Sequence, residues 1–234
     1  MSALPAGSTI GIVGGGQLGR MLAMAAARLS YRTIILEPAA DCPAAQVANR
    51  QIVAAYDDPA ALDELAQASD VVTYEFENVP LPAGERLAAH GLLFPPARAL
   101  EVAQDRLTEK QFLNGIGIDT ADFVAVDDDA ALAAALEQFG GSGILKTRRL
   151  GYDGKGQRLF RDAGAAYTAG AYAEMGSVVL ILEALVPFER EISVIAGRGQ
   201  DGAIVAFDPA ENIHREGILR TSTVPAYVSA EVVE

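Results

Sequence analysis

Short apolar runs alternate with longer segments of helical periodicity in the N-terminal part of the chain. Such apolar runs predict buried β-strands, and the longer segments predict α-helices. The predicted strands are residues 9–13, 33–36, 51–54 and 71–76, and the predicted helices are residues 17–31 and 59–68. Strands that alternate with helices favour βαβ units and a parallel sheet. The pattern ends near two consecutive prolines, Pro95 and Pro96, which interrupt both kinds of element.

The pattern changes in the second half, where short strands follow one another with fewer helices between them. A helical stretch covers residues 97–114, as one helix or as two pieces, and a further helix is predicted over residues 128–139. The predicted strands are residues 121–126, 143–147, 158–160, 178–182, 191–196 and 203–207. This is an α+β texture, which favours antiparallel pairing. We therefore predict two domains, residues 1–103 and 104–234.

Composition excludes several classes of function. The 234 residues carry a net charge of −13 and no basic cluster, which argues against a nucleic-acid partner. The single cysteine, Cys42, cannot form an internal disulfide, and with two histidines it argues against a transition-metal cluster. No apolar run approaches the length of a membrane span, and residues 1–7 lack a signal-peptide pattern. We expect a cytoplasmic protein.

A glycine-rich loop follows the first predicted strand. Gly14, Gly16 and Gly19 form the pattern G-x-G-x-x-G, and Glu37 stands 18 residues after Gly19, where dinucleotide sites place a ribose-binding acid. A nicotinamide or flavin oxidoreductase is therefore one alternative. The underlying physics is less specific, because free N–H groups at a helix N-terminus attract any phosphate.

A second glycine-rich segment, residues 151–157, follows a strand that carries Lys146. A lysine supplies a point charge for phosphate, and glycines let backbone N–H groups approach an anion closely. The spacing differs from that of a P-loop. A dehydrogenase would need a hydride-transfer acid or base here, often a histidine. Two phosphate sites in one chain instead suggest two phosphorylated ligands.

Five segments in this order resemble the N5-carboxyaminoimidazole ribonucleotide synthetases of the ATP-grasp superfamily. They are residues 16–22, 73–79, 105–110, 151–157 and 214–222. The resemblance covers nearly the whole chain. It implies an α/β protein, with a Rossmann-like pre-ATP-grasp domain built on a parallel sheet and then an α+β ATP-grasp domain. The second domain is expected to be incomplete at Glu234, with the Mg²⁺ ligands beyond that residue and none within the chain.

The resemblance also implies an activity. Members of this family use ATP to carboxylate 5-aminoimidazole ribonucleotide with bicarbonate, through carboxyphosphate, and they are expected to be homodimers. Another ATP-grasp enzyme, of the glycinamide ribonucleotide transformylase or biotin carboxylase type, is an alternative that residues 74–78 argue against. Lys146 and its glycine loop argue against an NAD-binding oxidoreductase module.

The resemblance assigns roles residue by residue. In the first domain it implies that N–H groups of Gly16, Gln17 and Leu18 receive the ribonucleotide 5′-phosphate. Glu75 and Glu77 lie two apart on one predicted strand, so both carboxylates are expected to project from one face toward the ribose hydroxyls or the amine. Which of the two contacts the substrate stays open.

For the ATP site, the resemblance implies a larger number of binding residues than for the ribonucleotide site. Arg106 and Lys146 are expected on the ATP phosphates, Glu183 to Val186 at the adenine, Glu191 at the ribose, and His214 at the nucleotide end. Residues 151–157 are expected to form a lid, in which Tyr152, Asp153 and Lys155 meet the reacting groups. The full ATP-binding set is Arg106, Lys146, Gly151, Tyr152, Asp153, Gly154, Lys155, Gly156, Gln157, Glu183, Ala184, Leu185, Val186, Glu191 and His214.

Overall fold

The computed structural model describes residues 4–151, 156–163, 168–176, 178–215 and 218–233. The chain forms two compact units, of which one ends at Gly115 and the other begins at Ile116. The predicted catalytic residues Tyr152, Asp153 and Lys155 lie outside the described residues, as does Gly154.

The first unit is built on a four-stranded parallel sheet in the order β3-β2-β1-β4. Its strands are β1 (Thr9–Val13), β2 (Arg32–Leu36), β3 (Arg50–Ile52) and β4 (Val71–Tyr74). The predicted parallel sheet is confirmed. Apolar side chains of β1 and β2 point alternately to two core clusters, with Ile12 and Ile35 in one and Val13 and Leu36 in the other. Burial on both faces explains the unbroken apolar runs.

Five helices belong to the same unit: α1 (Gln17–Arg28), α2 (Pro59–Gln67), α3 (Leu81–Ala89), α4 (Ala97–Ala103) and α5 (Arg106–Gly115). Helix α3 was not predicted, because Pro80, Pro82 and Gly84 suggest a loop. Yet Pro82 lies in the first helical turn, where its missing N–H needs no partner.

Helices α4 and α5 divide the predicted helix 97–114 in two. The buried carboxylate of Asp105 accepts the N–H groups of Leu107, at 3.0 Å, and Thr108, at 3.3 Å. These contacts cap a new helix N-terminus. Arg106 is therefore the first residue of α5.

The second unit contains a four-stranded sheet in the order β5-β8-β6-β7, with all neighbours antiparallel. Its strands are β5 (Phe123–Val126), β6 (Gly143–Thr147), β7 (Gln157–Phe160) and β8 (Leu180–Glu183). The predicted antiparallel pairing is confirmed. Helices α6 (Asp129–Gln138) and α7 (Ala171–Glu174) supply Leu132, Leu136 and Ala171 to the core beneath this sheet.

Five further strands and one short helix are described in the rest of the second unit. They are β9 (Glu191–Ser193), β10 (Ala196–Arg198), β11 (Ile204–Ala206), β12 (Ala210–Arg215), β13 (Ile218–Thr223) and α8 (Ala230–Val233). The predicted strand 191–196 is wrong in extent, since it divides between two sheets, β13-β12-β9 and β10-β11. Strands β12 and β13 were not predicted. Among the described residues, none of the helices has the length and apolar character required to cross a membrane.

Candidate functional site

The glycine loop of the first unit connects β1 to α1, as the sequence predicted. Gly14 has a φ of +107°, a backbone conformation that side chains with a Cβ rarely adopt. A Cβ built on Gly14 would lie 2.4 Å from Cγ of Glu75, so the side chain of Glu75 passes directly against the loop. Glycine at this position therefore meets both a conformational and a steric requirement.

The carboxylate of Glu75 occupies the N-terminus of α1. Its Oε1 accepts the N–H of Gly16 at 2.6 Å, and its Oε2 accepts the N–H of Gly19. A helix N-terminus offers free N–H groups and a favourable dipole for an anion, and here the anion is a side chain of the same unit. The family resemblance implies that the N–H of Gly16 binds the ligand phosphate. In the structure this N–H is already bonded to Glu75 and is not available to a phosphate. Gln17 and Leu18 are exposed at the start of α1.

Strand β4 ends at Tyr74, so Glu75 and Glu77 follow the strand rather than lie on it. The expectation that both carboxylates project from one face of a strand is wrong for this reason. Glu75 turns toward the glycine loop, whereas Glu77 is exposed and accepts the side-chain amide of Asn78 at 3.0 Å. The two acids therefore have different surroundings.

Glu37 is the second carboxylate at the loop. Its Oε2 accepts the N–H of Gly15 at 2.9 Å and the hydroxyl of Tyr56, and its Oε1 accepts the N–H of Ala39 at 3.2 Å. Glu37 stands where a dinucleotide site places its ribose acid, but its oxygens are bonded within the unit. Sequence reasoning missed Tyr56, because no local motif marks a residue 19 positions after Glu37.

The contact between Tyr56 and Glu37 predicts that the stability of the protein depends on pH. Burial, and then the hydrogen bond to Glu37, raise the pKa of the Tyr56 hydroxyl above its ordinary value of 10.0. The folded protein holds this proton more tightly than the unfolded chain does. The contribution of Tyr56 to stability is therefore complete below about pH 10 and is lost as the pH rises above that value.

We expect Tyr56→Phe to reduce the loss of stability above about pH 10, because phenylalanine does not ionise. The measurement is the free energy of unfolding in urea at about pH 8 and about pH 11. Tyr227→Phe is the matched control, since Tyr227 is 80% exposed and should keep the wild-type pH dependence. Equal losses in wild type and Tyr56→Phe would contradict the prediction.

In the second unit, the structure brings Lys146 and Glu183 together. Lys146 lies on β6 and Glu183 ends the neighbouring strand β8, and Nζ of Lys146 is 2.9 Å from Oε2 of Glu183. The two side chains are 24% and 10% exposed, so this pair is largely shielded from water. A half-buried ammonium group of this kind is oriented by its carboxylate partner and can still meet a phosphate at its open side.

The predicted lid follows β6 directly. Gly151 and Gly156 are described at its two ends, and the N–H of Thr147 donates to the carbonyl of Gly156 at 2.9 Å. Gly156 has a φ of +67°, and a Cβ there would lie 2.9 Å from Oγ1 of Thr147. Gln157 begins β7 and pairs with Lys146. The end of this segment therefore lies beside Lys146, and the lid stays a prediction.

The predicted adenine segment follows Glu183 at the end of β8. The N–H of Ala184 donates to the carbonyl of Asp122 at 2.8 Å, and the carbonyl of Val186 accepts the N–H of Phe188 at 2.9 Å. Leu185 is half-buried and Val186 is exposed. The segment thus leaves β8 with one N–H bonded to Asp122 and one carbonyl bonded to Phe188.

Glu191 and His214 also meet in the structure. Strand β9 pairs with β12, and a bulge between Ile213 and His214 lies beside this pairing. Oε1 of Glu191 is 3.2 Å from Nδ1 of His214, and both side chains are partly exposed. The two residues that were assigned separately to the nucleotide therefore form one pair. The sequence did not indicate this, because 23 positions separate them.

Comparison with known proteins supplies two family matches. The ribonucleotide synthetase preATP-grasp domain matches residues 7–104, and the ATP-grasp domain matches residues 111–234. The predicted division near residue 103 stays a prediction.

Curated relatives are similar over the whole chain. The N5-carboxyaminoimidazole ribonucleotide synthase of Brucella melitensis is 62% identical over 233 residues, which cover 100% of this chain and 64% of the relative. That of Pseudomonas aeruginosa is 44% identical, over 91% of this chain and 58% of the relative. The chain thus spans about 60% of the length of the curated relatives it matches.

Solved structures agree with these relatives. The ADP complex of N5-carboxyaminoimidazole synthetase from Staphylococcus aureus has a TM-score of 0.91 at 36% identity, covering 99% of this chain and 62% of that one. The Aspergillus clavatus N5-carboxyaminoimidazole synthase in complex with ADP and 5-aminoimidazole ribonucleotide has a TM-score of 0.84 at 26% identity, covering 97% and 59%. The resemblance and the fold class predicted from the sequence are confirmed.

Proposed function

The chain belongs to the ATP-grasp family, with a ribonucleotide synthetase preATP-grasp domain before its ATP-grasp domain, and on this premise we propose that it serves the ATP-dependent carboxylation of 5-aminoimidazole ribonucleotide by bicarbonate. The observation that carries this proposal is the 62% identity, over 233 residues, to the Brucella melitensis synthase. The products are N5-carboxyaminoimidazole ribonucleotide, ADP and phosphate.

The reaction has two steps. An oxygen of bicarbonate bonds to the γ-phosphorus of ATP, the bond from that phosphorus to the β,γ-bridging oxygen breaks, and ADP leaves with the electron pair. The exocyclic amine nitrogen then bonds to the carbon of carboxyphosphate, or of CO₂ released from it. Phosphate leaves and the amine gives up one proton. Such a step depends on positioning and on charge stabilisation.

The proposed nucleotide site lies along β6 and β8 of the second unit. Lys146 contacts the ATP phosphates while Glu183 holds its ammonium group, and Ala184, Leu185 and Val186 present backbone groups to adenine. Glu191 binds the nucleotide ribose, and the 3.2 Å contact between Oε1 of Glu191 and Nδ1 of His214 supports placing His214 beside it.

The predicted lid also belongs to the proposed nucleotide-binding residues. Residues 151–157 close over the phosphates, with Lys155 stabilising carboxyphosphate and with Tyr152 and Asp153 near the reacting groups. Arg106, the first residue of α5, stays a predicted phosphate-binding residue, since a guanidinium fork suits phosphate oxygens.

The ribonucleotide is proposed to bind at the glycine loop of the first unit. Gln17 and Leu18 offer their exposed backbone to its 5′-phosphate, because the N–H of Gly16 is already bonded to Glu75. Glu77 is the acid that is open to the ribose hydroxyls or the amine, since it is exposed next to Asn78. The difference in surroundings makes Glu77 the more accessible of the two acids.

The proposal includes Mg²⁺, a homodimer and a cytoplasmic location. Among the described residues, no group of three or more histidine, cysteine, aspartate or glutamate side chains could hold a metal ion. The described residues therefore do not fit a metal site. No step is assigned to the metal here.

Two linked measurements test the proposal. Calorimetric titration of the protein should give saturable binding of ATP, and no saturable binding of NAD. Incorporation of isotope-labelled bicarbonate into an acid-labile product, with ADP formed in equal amount, should depend on added 5-aminoimidazole ribonucleotide. Saturable NAD binding without ATP binding would overturn the family-based assignment. ATP binding with bicarbonate incorporation into another amine would overturn the choice of substrate.

A further inference from the structure

One carboxylate of the first unit, that of Glu37, connects separate segments of the chain. Its Oε2 accepts the N–H of Gly15 at 2.9 Å and the hydroxyl of Tyr56, and its Oε1 accepts the N–H of Ala39 at 3.2 Å. Hydrogen bonds to a charged carboxylate are stronger than those between neutral groups. The Glu37 side chain is therefore held in one orientation, and the Tyr56 hydroxyl is a side-chain donor that helps to hold it.

Gly15 directly precedes the loop positions that are proposed to receive the ribonucleotide phosphate. A Cβ built on Gly15 would lie 2.7 Å from Cγ of Glu37, so these two residues are in close contact. The carbonyl of Gly15 accepts the N–H of Ala44 at 3.0 Å. Both polar groups of this residue are thus bonded, and a change in the orientation of Glu37 would release the backbone that leads into Gln17 and Leu18.

The ring of Tyr56 contacts the second segment that is assigned to the ribonucleotide. Its centroid lies 5.4 Å from that of the Phe76 ring, at an interplanar angle of 58°. Tilted aromatic pairs at this separation attract each other. Phe76 stands between Glu75, which bonds the glycine loop, and Glu77, the acid that is open to the ligand. Tyr56 therefore links both parts of the proposed ribonucleotide site, through Glu37 and through Phe76.

The Tyr56 hydroxyl remains a hydrogen-bond donor at neutral pH. Burial, then the hydrogen bond to Glu37 and the negative charges of Glu37 and Glu75, raise its pKa above the ordinary value of 10.0. The hydroxyl therefore keeps the proton that it donates to Glu37.

We propose that Tyr56 is a positioning residue of the ribonucleotide site. Its hydroxyl orients Glu37 against Gly15, and its ring supports the segment that carries Glu77. Binding groups must be held within about 0.5 Å of their productive geometry, which requires support from such surrounding contacts. The inference rests on the proposed function, because that function places the ribonucleotide in the first unit.

The first measurement needs no ligand. Protein labelled with ¹⁵N-glycine is followed by NMR for hydrogen exchange at the amides of Gly14 and Gly15. Tyr56→Phe removes the hydroxyl and keeps the ring, so Glu37 is less restrained. We expect the Gly15 amide to exchange about two- to tenfold faster, the value of one hydrogen bond. Gly14 is the internal reference, because its N–H donates to the carbonyl of Leu36 at 3.0 Å.

The second measurement is ligand affinity by calorimetric titration. Tyr56→Phe should weaken the binding of 5-aminoimidazole ribonucleotide by about two- to tenfold. Tyr56→Leu also removes the ring contact and should weaken this binding further. The affinity for ATP should stay near the wild-type value in both variants, because the contacts proposed on β6 and β8 lie in the other unit.

Tyr31→Phe is the matched control. The Tyr31 hydroxyl donates to the carbonyl of Leu4 at 2.9 Å in the same unit, so this variant loses one part-buried hydrogen bond in a different contact. A general loss of stability would affect both phenylalanine variants alike. We expect the exchange of Gly15 and the ribonucleotide affinity to change in Tyr56→Phe and to stay at the wild-type values in Tyr31→Phe.

The inference is wrong if Tyr56→Phe exchanges the Gly15 amide at the wild-type rate, or if it binds the ribonucleotide as tightly as wild type does. Failure of the proposed function is distinguishable, since wild type itself would then not bind the ribonucleotide, and the inference would fail with it. If Tyr56→Leu does not fold, Tyr56→Phe decides alone, because it keeps the ring that packs on Phe76.

Discussion

Lys146→Met is expected to lower the affinity for ATP by about 10- to 150-fold. A charge-assisted hydrogen bond contributes about 1.5–3 kcal/mol, and methionine keeps much of the side-chain volume while removing the ammonium group. The affinity for 5-aminoimidazole ribonucleotide should stay near the wild-type value, because the proposed ribonucleotide contacts lie in the other unit. Calorimetric titration with each ligand measures both quantities.

The Lys146 experiment has a control and a diagnostic second variant. Arg161→Met removes an exposed cation that follows β7, and it should leave ATP affinity unchanged. Glu183→Gln keeps an acceptor for Lys146 without the charge, and it should weaken ATP binding less than Lys146→Met does. In the double variant the two losses should not add, because both act on one pair. Unchanged ATP affinity in Lys146→Met would mean that Lys146 does not contact the ATP phosphates.

Leu145→Ala is expected to lower the free energy of unfolding of the second unit by about 2–5 kcal/mol. Leu145 precedes Lys146 on β6 and is fully buried. Successive side chains of this strand therefore point alternately to the core and to the proposed site. Truncation leaves a cavity beneath Lys146. Urea denaturation, followed by circular dichroism, measures the change.

Leu159→Ala is the matched control for Leu145. Leu159 lies on the adjacent strand β7 and is 49% exposed, so its truncation should cost less than about 1 kcal/mol. Similar losses in the two variants would mean that β6 does not have the orientation described here. If Leu145→Ala lowers the free energy of unfolding less than Leu159→Ala does, the face of the sheet that carries Leu159 is the buried one.

Strand β6 was correctly predicted because its signals are local. An apolar run that ends in Lys146, followed at once by glycines, needs only a few neighbouring residues to be recognised. Its observed bounds, Gly143–Thr147, match the prediction residue for residue. The role of Glu183 as the partner of Lys146 was not predictable in this way, because the two are 37 positions apart and meet only through the pairing of β6 with β8.

The glycine loop of the first unit was likewise predicted only in part. Its position between β1 and α1 was predicted from the glycine spacing and the apolar run before it. The occupant of the loop was not, because Glu75 is 59 positions from Gly16. The sequence pattern placed Glu75 inside a strand. The observed strand ends at Tyr74, two residues before the predicted end, and the carboxylate of Glu75 bonds the loop.

The sequence by itself determined the strands of the two main sheets, the parallel and antiparallel character of these sheets, and the family resemblance, because each depends on local periodicity or on short motifs. Tertiary structure alone decided that Glu75 fills the α1 N-terminus, that Lys146 faces Glu183, and that Glu191 meets His214. These pairings depend on strand order and register. The physical reason is that two side chains far apart in sequence interact only after the backbone between them has folded.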